Sequence, residues 1–482
     1  MSEFIGHNCG IAITYTLHDA HNFLYSLQHR GRDAAGIAAV GDTIDILKWQ
    51  GSVKRFDLAE LHKHFPDGRY QYFIAHNRYA TRGRKDRVLQ DAHPHHIGGK
   101  VTDYGTYIIV RGAKKAIVHN GQIETESLNI DKSRLMSGSD SEALLHYYDK
   151  HGTHGEERVL QDIPGSYSAI IADTSREGAI VIRDRYGIRP AALGWKDNKF
   201  VAASEDIAIR KNGGSFREDI KPGSVYYLYP DGKYDFEQII KSPYLALCKF
   251  EQLYLADPES VIDGIPVIVV QQQMGTMLAR ESPKDADIVS FAPRRSEAAA
   301  RAYANELGLP FVHLLTKESA LRSFQGPYQK EREEAIQRNL HLLNPPYFER
   351  RGDIRREFKG AITDIVDDSI IRGTVGSTIA ALVKPLDIIP RLRSYTPYIG
   401  RIRKDGVKTG CYDGVDMPPE ETADHKFVAR GRNSRGISKA IGMDTRALSV
   451  RGMKSAFRKA GMDPNNLCTF CIGGRHPYRK FD

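Results

Sequence analysis

The sequence lacks any apolar run long enough to cross a bilayer. Its longest runs, such as "IPVIVV", fall far short of the roughly 20 residues a helical span requires, so no membrane partner is expected. The opening "MSEFIGHN" is too short and too polar for a secretory signal, whose apolar core alone takes roughly 7–15 residues. Cysteine is scarce: Cys9, Cys248, Cys411, Cys468 and Cys471 are the only five among 482 residues. An odd, small set excludes a disulfide framework in a chain of this length. Low-complexity tracts and short-period repeats are missing too. A cytoplasmic address follows by default.

What is present is a globular composition, 41% hydrophobic against 27% charged. The length exceeds one ordinary core, so two or more domains are expected. The net charge of +9 fits phosphate-rich ligands and equally fits nonspecific nucleic-acid binding. Much of the excess lies late, in "RGRNSRGISKAIG" and "VRGMKSAFRKAG". These read as solvated helix faces. No aromatic-rich RNA motif accompanies them, so no nucleic-acid partner is expected.

In the first half, "CGIAITYT" reads as a strand and "AHNFLYSLQHRG" as an amphipathic helix ended by Gly31. Short apolar runs follow, separated by turns: "AAGIAAV", "YFIAHNRYAT", "YIIVRGAKKAIVHNG", "YSAIIAD", "AIVIRD" and "FVAASED". Many strands with few helices predict stacked antiparallel sheets. Several runs end in polar residues. Arg78 stands at a strand end, Asn120 and Gly121 at a predicted turn, and Asp140 just before a helical run. Singly, Asn-Gly reads as a hairpin turn and Ser-Asp-Ser as a helix cap. Together they match the ends of one ligand. Arginine clamps a carboxylate, aspartate holds an ammonium, and an Asn amide with a Gly N–H donates to an oxyanion. That ligand is glutamine. "DAHPHH" adds His93, His95 and His96, which read as a surface loop, because no zinc-type spacing surrounds them.

The second half alternates helix and strand. "MGTMLARES" and "SEAAARAYANELG" read as helices, "ADIVSFAP" and "PFVHLL" as strands, so a parallel sheet is predicted, with ligands at its carboxyl ends. In "ITDIVDDSIIRGTVGSTIAALV" a strand runs into Asp367 and Asp368, then a loop and a helix. Loop and helix N–H groups suit a terminal phosphate. Gly373 permits close approach, Ser369, Arg372 and Thr374 add donors, and the two carboxylates suit ribose hydroxyls or Mg²⁺.

"CGI", "LQHRGRDAAGI", "HNRYAT", "HNG" and "SDSE" resemble, in order, the blocks of class II glutamine amidotransferases. "RDRYGIRPAALGW…VAASED" and "FEQLYLADPESVIDG" resemble the subgroup of glutamine phosphoribosylpyrophosphate (PRPP) amidotransferases. The strand–loop–helix run resembles the PRPP motif of type I phosphoribosyltransferases. The resemblance implies an α+β, four-layer αββα N-terminal-nucleophile hydrolase domain over 9–240 and an α/β phosphoribosyltransferase domain with a parallel sheet over 241–400. It also implies a C-terminal helical segment over 401–482, packed on both domains.

The same resemblance assigns roles. Met1–Asn8 would be a propeptide, whose removal gives Cys9 a free α-amine as its base. Arg78 and Asp140 would fix glutamine, Asn120 and Gly121 would form the oxyanion hole, and Gly36 and Thr81 would be wall and positioning residues. Asp367, Asp368, Ser369, Arg372, Gly373 and Thr374 would bind PRPP, the two acids with Mg²⁺. Cys248, Cys411, Cys468 and Cys471 would hold a [4Fe–4S] cluster, with zinc as the rival metal. The implied activity converts PRPP and glutamine to 5-phosphoribosylamine, glutamate and pyrophosphate, the first step of purine synthesis. Purine nucleotides as inhibitors and a homotetramer are further implications.

Three departures stand out. The pyrophosphate loop reads "APRRSEAAA", with Arg294, Arg295 and a shifted Ser296. The candidate lid reads "TKESALRSF", with Arg322 and Phe324 in step and Lys317 one place off. Asp364 interrupts an apolar strand and would be costly if buried unpaired. These leave two alternatives: an amidotransferase with another ammonia acceptor, or a non-catalytic sensor of a phosphoribosyl ligand.

Overall fold

A computed structural model describes residues 9–78, 87–126, 128–293, 295–317, 334, 336, 339–343, 359–413, 417–422 and 426–479. The chain divides into two compact units. One comprises Met1–Glu251, Leu255–Gly264 and Tyr412–Asp416; the other comprises Gln252–Tyr254, Ile265–Cys411 and Met417–Asp482. Among the described residues no helix is long and apolar enough to cross a membrane.

The first unit is built on strands β1 (Gly10–Thr14), β2 (Ala34–Val40), β3 (Ile44–Gln50), β4 (Tyr72–Arg78), β5 (His95–Asp103) and β6 (Tyr107–Ile123). They are followed by β7 (Gly165–Asp173), β8 (Ala179–Arg183), β9 (Ala192–Lys196), β10 (Lys199–Ala203), β11 (Ser215–Asp219), β12 (Ser224–Leu228) and β13 (Tyr234–Gln238). These pair antiparallel in the order β11-β9-β10-β1-β4-β2-β3-β6-β7-β8-β12-β13, with β5 alongside β6. Its helices are α1 (Leu17–Ser26), α2 (Leu58–His64), α3 (Asp140–Lys150), α4 (Gly155–Asp162) and α5 (Asp206–Arg210).

Side-chain alternation turns this sheet into layers. Ile11, Ile13, Ala38, Val40 and Ile74 from one half share a core with Val110, Val118, Ile170, Ala172 and Val181 from the other. The two halves therefore stack face to face. The intervening residues face outward. Ala35, Ile37 and Ala75 pack with Leu17 and Leu24 of α1 and Leu61 of α2. Ile117, Ala169 and Ile171 pack with Leu144 and Tyr148 of α3 and Leu160 of α4. The result is helix, sheet, sheet, helix. Because both faces of these strands are buried, they read as continuous apolar runs. Each fully buried Ile, Leu or Val contributes roughly 1.5–3 kcal/mol.

One boundary differs from the expectation. The first helix ends at Ser26, with Leu27 as its C-cap, and does not continue to Gly31. Arg30 is the reason: it is drawn inward to buried acids (below), which a continued helical face would not permit.

In the second unit, β14 (Ile288–Phe291), β15 (Ile362–Asp367), β16 (Ile389–Ser394) and β17 (Asp444–Ala447) form a fully parallel sheet in that order. Helices α6 (Val267–Glu281), α7 (Glu297–Leu307), α8 (Thr374–Val383), α9 (Ser434–Ile441) and α10 (Val450–Lys459) belong to this unit. Ile365, Leu392, Ile379, Val383, Ile437 and Ile441 share its core. Helix α7 stops at Gly308, a left-handed C-cap with φ of 69°. The run "PFVHLL" makes a parallel bridge, Phe311 to Val289, and its last residue, Leu315, opens a short strand (Leu315–Lys317) that pairs antiparallel with Leu340–Leu342. Asp364 is buried but not alone. It accepts from Tyr303 Oη at 2.7 Å and from Arg391 Nε and Nη2 at 2.8 and 3.0 Å, with Arg393 Nε at 3.2 Å. The feared penalty is met by partners.

Candidate active site

Strand parity decides which residues can meet. On β1 the inner residues are Ile11 and Ile13, so Cys9 continues the inner face. On β4, Ile74 is inner, and so are His76 and Arg78. On β6, Ala116 and Val118 are inner, which places Asn120 there, while His119 and Gly121 face α3. The β1–β4 register pairs Gly10 with Asn77, which sets Cys9 opposite Arg78. Cys9 is fully buried. Thus Cys9, Arg78 and Asn120 all lie on the face between the two sheet halves.

The backbone around Cys9 is pinned from three sides. Arg30 Nε donates to the Cys9 carbonyl at 2.9 Å, the Gly10 N–H donates to Asn77 Oδ1 at 2.8 Å, and the Ile11 N–H donates to Ser204 Oγ at 3.0 Å. Arg30 is itself held by Glu205 at 2.6 Å and by both oxygens of Glu251 at 2.9 and 3.0 Å. Arg189 joins at Glu251, at 2.7 Å. Burial opposes the charge on both acids, but His29 and Arg30 hold Glu205 well below the usual carboxylate range, and Arg30 with Arg189 lower Glu251. Sequence reasoning missed this network. Its only signal was charge inside otherwise apolar runs, in "LQHRG", "SED" and "FEQLY".

Arg78 is buried, and Nη1 donates to the Val88 carbonyl at 2.8 Å. Its Nε and Nη2 have no hydrogen-bond partner among the described residues, Asp91 standing off at 3.7 Å. Burial lowers its pKa, against the attraction of Asp91, Cys9 and Asp33. Asn120 is fully buried, and neither end of its amide has a partner among the described residues. Such groups are costly unless a ligand satisfies them.

Asn120 and Gly121 lie inside β6, not at a turn, paired with Ser168 and Tyr167. Local Asn-Gly chemistry is overridden because a neighbouring strand pairs with the whole run. Gly121 has φ of 148°, and a Cβ there would stand 1.8 Å from the Ser166 carbonyl oxygen, so only glycine fits. Gly36 lies on β2, where a Cβ would meet the His93 carbonyl at 2.2 Å. Thr81 lies outside the described residues.

Asp140 opens α3, with Ser139 as N-cap. Its Oδ2 accepts from the Ile123 N–H at 2.9 Å and Oδ1 from Ser141 Oγ at 3.3 Å. Burial pushes its pKa up to about 7, against those hydrogen bonds.

The histidines of "DAHPHH" are buried, not a surface loop. The rings of His76 and His93 stack at 4.0 Å, and His93 meets His95 at 4.6 Å. Lys48, itself buried, draws this segment inward by donating to the Ala92 and Gln90 carbonyls at 2.7 and 3.4 Å.

In the second unit the acidic pair ends β15, as the sequence places it. The Asp368 N–H donates to Asp367 Oδ1 at 2.9 Å, and Ser369 Oγ donates to Asp368 Oδ1 at 2.6 Å. Burial first, then the charge of Asp368, raises the Asp367 pKa well above the usual range, while Lys317 pulls it down. Gly373 caps α8 with φ of 84°. The loop therefore delivers Ser369, Arg372, Gly373 and Thr374 to the carboxyl end of the sheet. Arg295 is close enough for its charge to act on Tyr395, which also senses Asp367 and Asp368. Arg294, Arg322 and Phe324 lie outside the described residues.

Comparison with known proteins follows this geometry. A family model described as a glutamine amidotransferase domain matches residues 106–211, the stretch that carries Asn120, Gly121 and Asp140. The amidophosphoribosyltransferase of Archaeoglobus fulgidus is 31% identical over 477 residues, covering 95% of this chain and 94% of that one. The chain belongs to the amidophosphoribosyltransferase family. The Bacillus subtilis amidophosphoribosyltransferase is 28% identical, covering 94% and 90%. A solved structure of glutamine PRPP amidotransferase from B. subtilis, complexed with ADP and GMP, matches with a TM-score of 0.76 at 26% identity, covering 97% of each chain. As an amidophosphoribosyltransferase the protein is an enzyme of the first step of purine biosynthesis. Its two units have the glutaminase and phosphoribosyltransferase folds of the family.

None of the five cysteines forms a disulfide. Four thiols are a sound donor set for a cluster, but among the described residues no three or more His, Cys, Asp or Glu side chains are gathered as a metal site. The acidic pair supplies two adjacent hard oxygen donors, the kind Mg²⁺ prefers.

Proposed function

We propose that the glutaminase reaction runs on Cys9 after removal of Met1–Asn8. The freed α-amine takes the thiol proton, and the thiolate attacks the side-chain carbonyl of glutamine. Asn120 Nδ2 and the Gly121 N–H stabilise the oxyanion. The C–N bond breaks, the amine returns its proton to the leaving ammonia, and a γ-glutamyl thioester remains for water to hydrolyse. Arg78 takes the α-carboxylate through Nε and Nη2, and Asp140 takes the α-ammonium. The observation that carries this reading is the pair of buried groups on Arg78 and Asn120 with no hydrogen-bond partner among the described residues, on the same inter-sheet face as Cys9.

In the second unit, loop N–H groups with Ser369, Arg372, Gly373 and Thr374 would hold the 5′-phosphate of PRPP, and Asp367 with Asp368 the ribose hydroxyls. Mg²⁺ bound by these two acids would neutralise the departing pyrophosphate. Ammonia then displaces pyrophosphate at C1. Purine nucleotides are proposed inhibitors and a tetramer the proposed assembly. A [4Fe–4S] cluster at Cys248, Cys411, Cys468 and Cys471 is supported by the donor set alone, and no step depends on it. Iron and acid-labile sulfide analysis, with zinc as the other outcome, tests it.

Pyrophosphate release should require glutamine, Mg²⁺ and PRPP together. Pyrophosphate release with full turnover from a chain that keeps residues 1–8 would overturn the Cys9 mechanism.

A further inference from the structure

His119 sits one residue before Asn120, on the opposite face of β6. It is fully buried, and its Nε2 has no hydrogen-bond partner among the described residues. A ring serving only to fill space would be cheaper without nitrogen, since an unpaired polar atom costs desolvation energy. The imidazole does make one polar contact: Nδ1 lies 2.7 Å from Ser141 Oγ. Ser141 Oγ in turn donates to Asp140 Oδ1. A hydroxyl has one proton. If Ser141 gives it to the carboxylate, His119 Nδ1–H must be the donor to Ser141. The three groups then form a directed chain, Nδ1–H to Oγ–H to carboxylate.

We propose that His119 is a positioning residue for the glutamine site: through the Ser141 hydroxyl it orients the Asp140 carboxylate and keeps it charged to receive the substrate's α-ammonium. This rests on the assignment of Asp140 above. Burial holds the ring neutral, pushing its pKa down to about 3, and the charge of Arg189 acts in the same direction. The rings of His93 and Tyr167 flank it at 6.4 Å, and His76 is within electrostatic reach. From α3 itself, Glu142 is occupied by the N–H groups of Met136 and Ser137. On β5, which packs beside α3, His96 Nδ1 bonds the Gly98 carbonyl, and His95 is turned to His93. Among the described residues, Asp140 receives one other anchor from beyond its own turn, the Ile123 N–H. Losing the Ser141 donor would favour its protonated form.

The test compares glutamine with 4-carbamoylbutanoate, which is glutamine without its α-ammonium, as substrates of the trimmed full-length enzyme. The ratio of their kcat/KM values across pH cancels the titration of Cys9 and its amine. Wild type should prefer glutamine, and that preference should fade as pH falls. His119→Ala and Ser141→Ala should each reduce the ratio about five- to tenfold and move its acid limb to higher pH. The double variant should be no worse than either single one, and His119→Asn, which keeps a donor at the Nδ1 position, should restore the ratio. A wild-type ratio without preference or pH dependence would sink the Asp140 assignment itself. A normal wild-type ratio that His119→Ala and Ser141→Ala leave unchanged, or a loss shared equally by both substrates, would overturn the role of His119. Should His119→Ala not fold, Ser141→Ala carries the same comparison.

Discussion

The two sites prepare for their ligands in opposite ways. The proposed glutamine site lies between the stacked sheet halves, where Arg78 and Asn120 are desolvated in advance and keep hydrogen-bonding atoms without a partner among the described residues. The proposed phosphate site lies on a half-buried loop at a strand end, where charge is concentrated: Asp367 beside Asp368, with the N-terminus of α8 following in the chain. One site recognises by shape and unpaired polarity, the other by charge and backbone. A small zwitterion without net charge needs the former, because water would compete for every hydrogen bond and ion pair. A polyanionic sugar phosphate carries enough charge to bind where water still reaches.

The largest test of this contrast is Cys9→Ala. Glutamine hydrolysis should fall by at least about 10³-fold, while phosphoribosylamine formation from added ammonia should persist. If both activities vanish together, the sites do not work as separate chemistries.

Next in size is Asp364→Asn. It leaves Arg391 and Arg393 buried without their shared anion, which should cost roughly 3–5 kcal/mol of stability. Denaturant unfolding followed in the second unit reads the loss. An unchanged midpoint would mean that Asp285 and Asp444 already suffice for the two arginines.

Arg78→Lys keeps the charge but loses the fork. The KM for glutamine should rise about 100-fold with a smaller change in kcat. A rise no larger than that of a surface arginine variant would argue that the open Nε and Nη2 positions do not meet the substrate.

The smallest effect is the pH response of the glutamine site. Asp140, raised by burial to about 7, is neutral below that value and cannot pair with an ammonium. The preference for glutamine over 4-carbamoylbutanoate, a ratio that cancels the titration of Cys9 and its amine, should therefore fall about tenfold per pH unit below 7, and PRPP binding should not follow it. A limb at the ordinary carboxylate range would mean that Asp140 is more solvated than its burial indicates.

Much of the architecture was legible beforehand. Apolar runs separated by turns predicted the antiparallel sheets, and strand–helix alternation predicted the parallel one. The residues proposed for the glutamine site, Cys9, Arg78, Asn120 and Asp140, stood out by their residue types at run ends, and so did the loop after Asp368. Local signals misled where long-range packing took over. Asn-Gly read as a turn but is held in a strand by β7. The helix stopped before Gly31 because Arg30 answers to Glu251, 221 residues away. The histidines of "DAHPHH" looked like a loop but are drawn inward, with Lys48 holding their backbone.

By itself, then, the order of residues determined the two classes of sheet, the thiol, and the strand–loop–helix that suits a phosphate, because these depend on short periodicities and on side-chain chemistry. Only the tertiary structure decided which polar groups are left unpaired in the interior, which charges are compensated, and that His119 reaches Asp140 through Ser141. Those outcomes depend on partners from distant strands, and desolvation is set by what finally packs around each group, which no local pattern encodes.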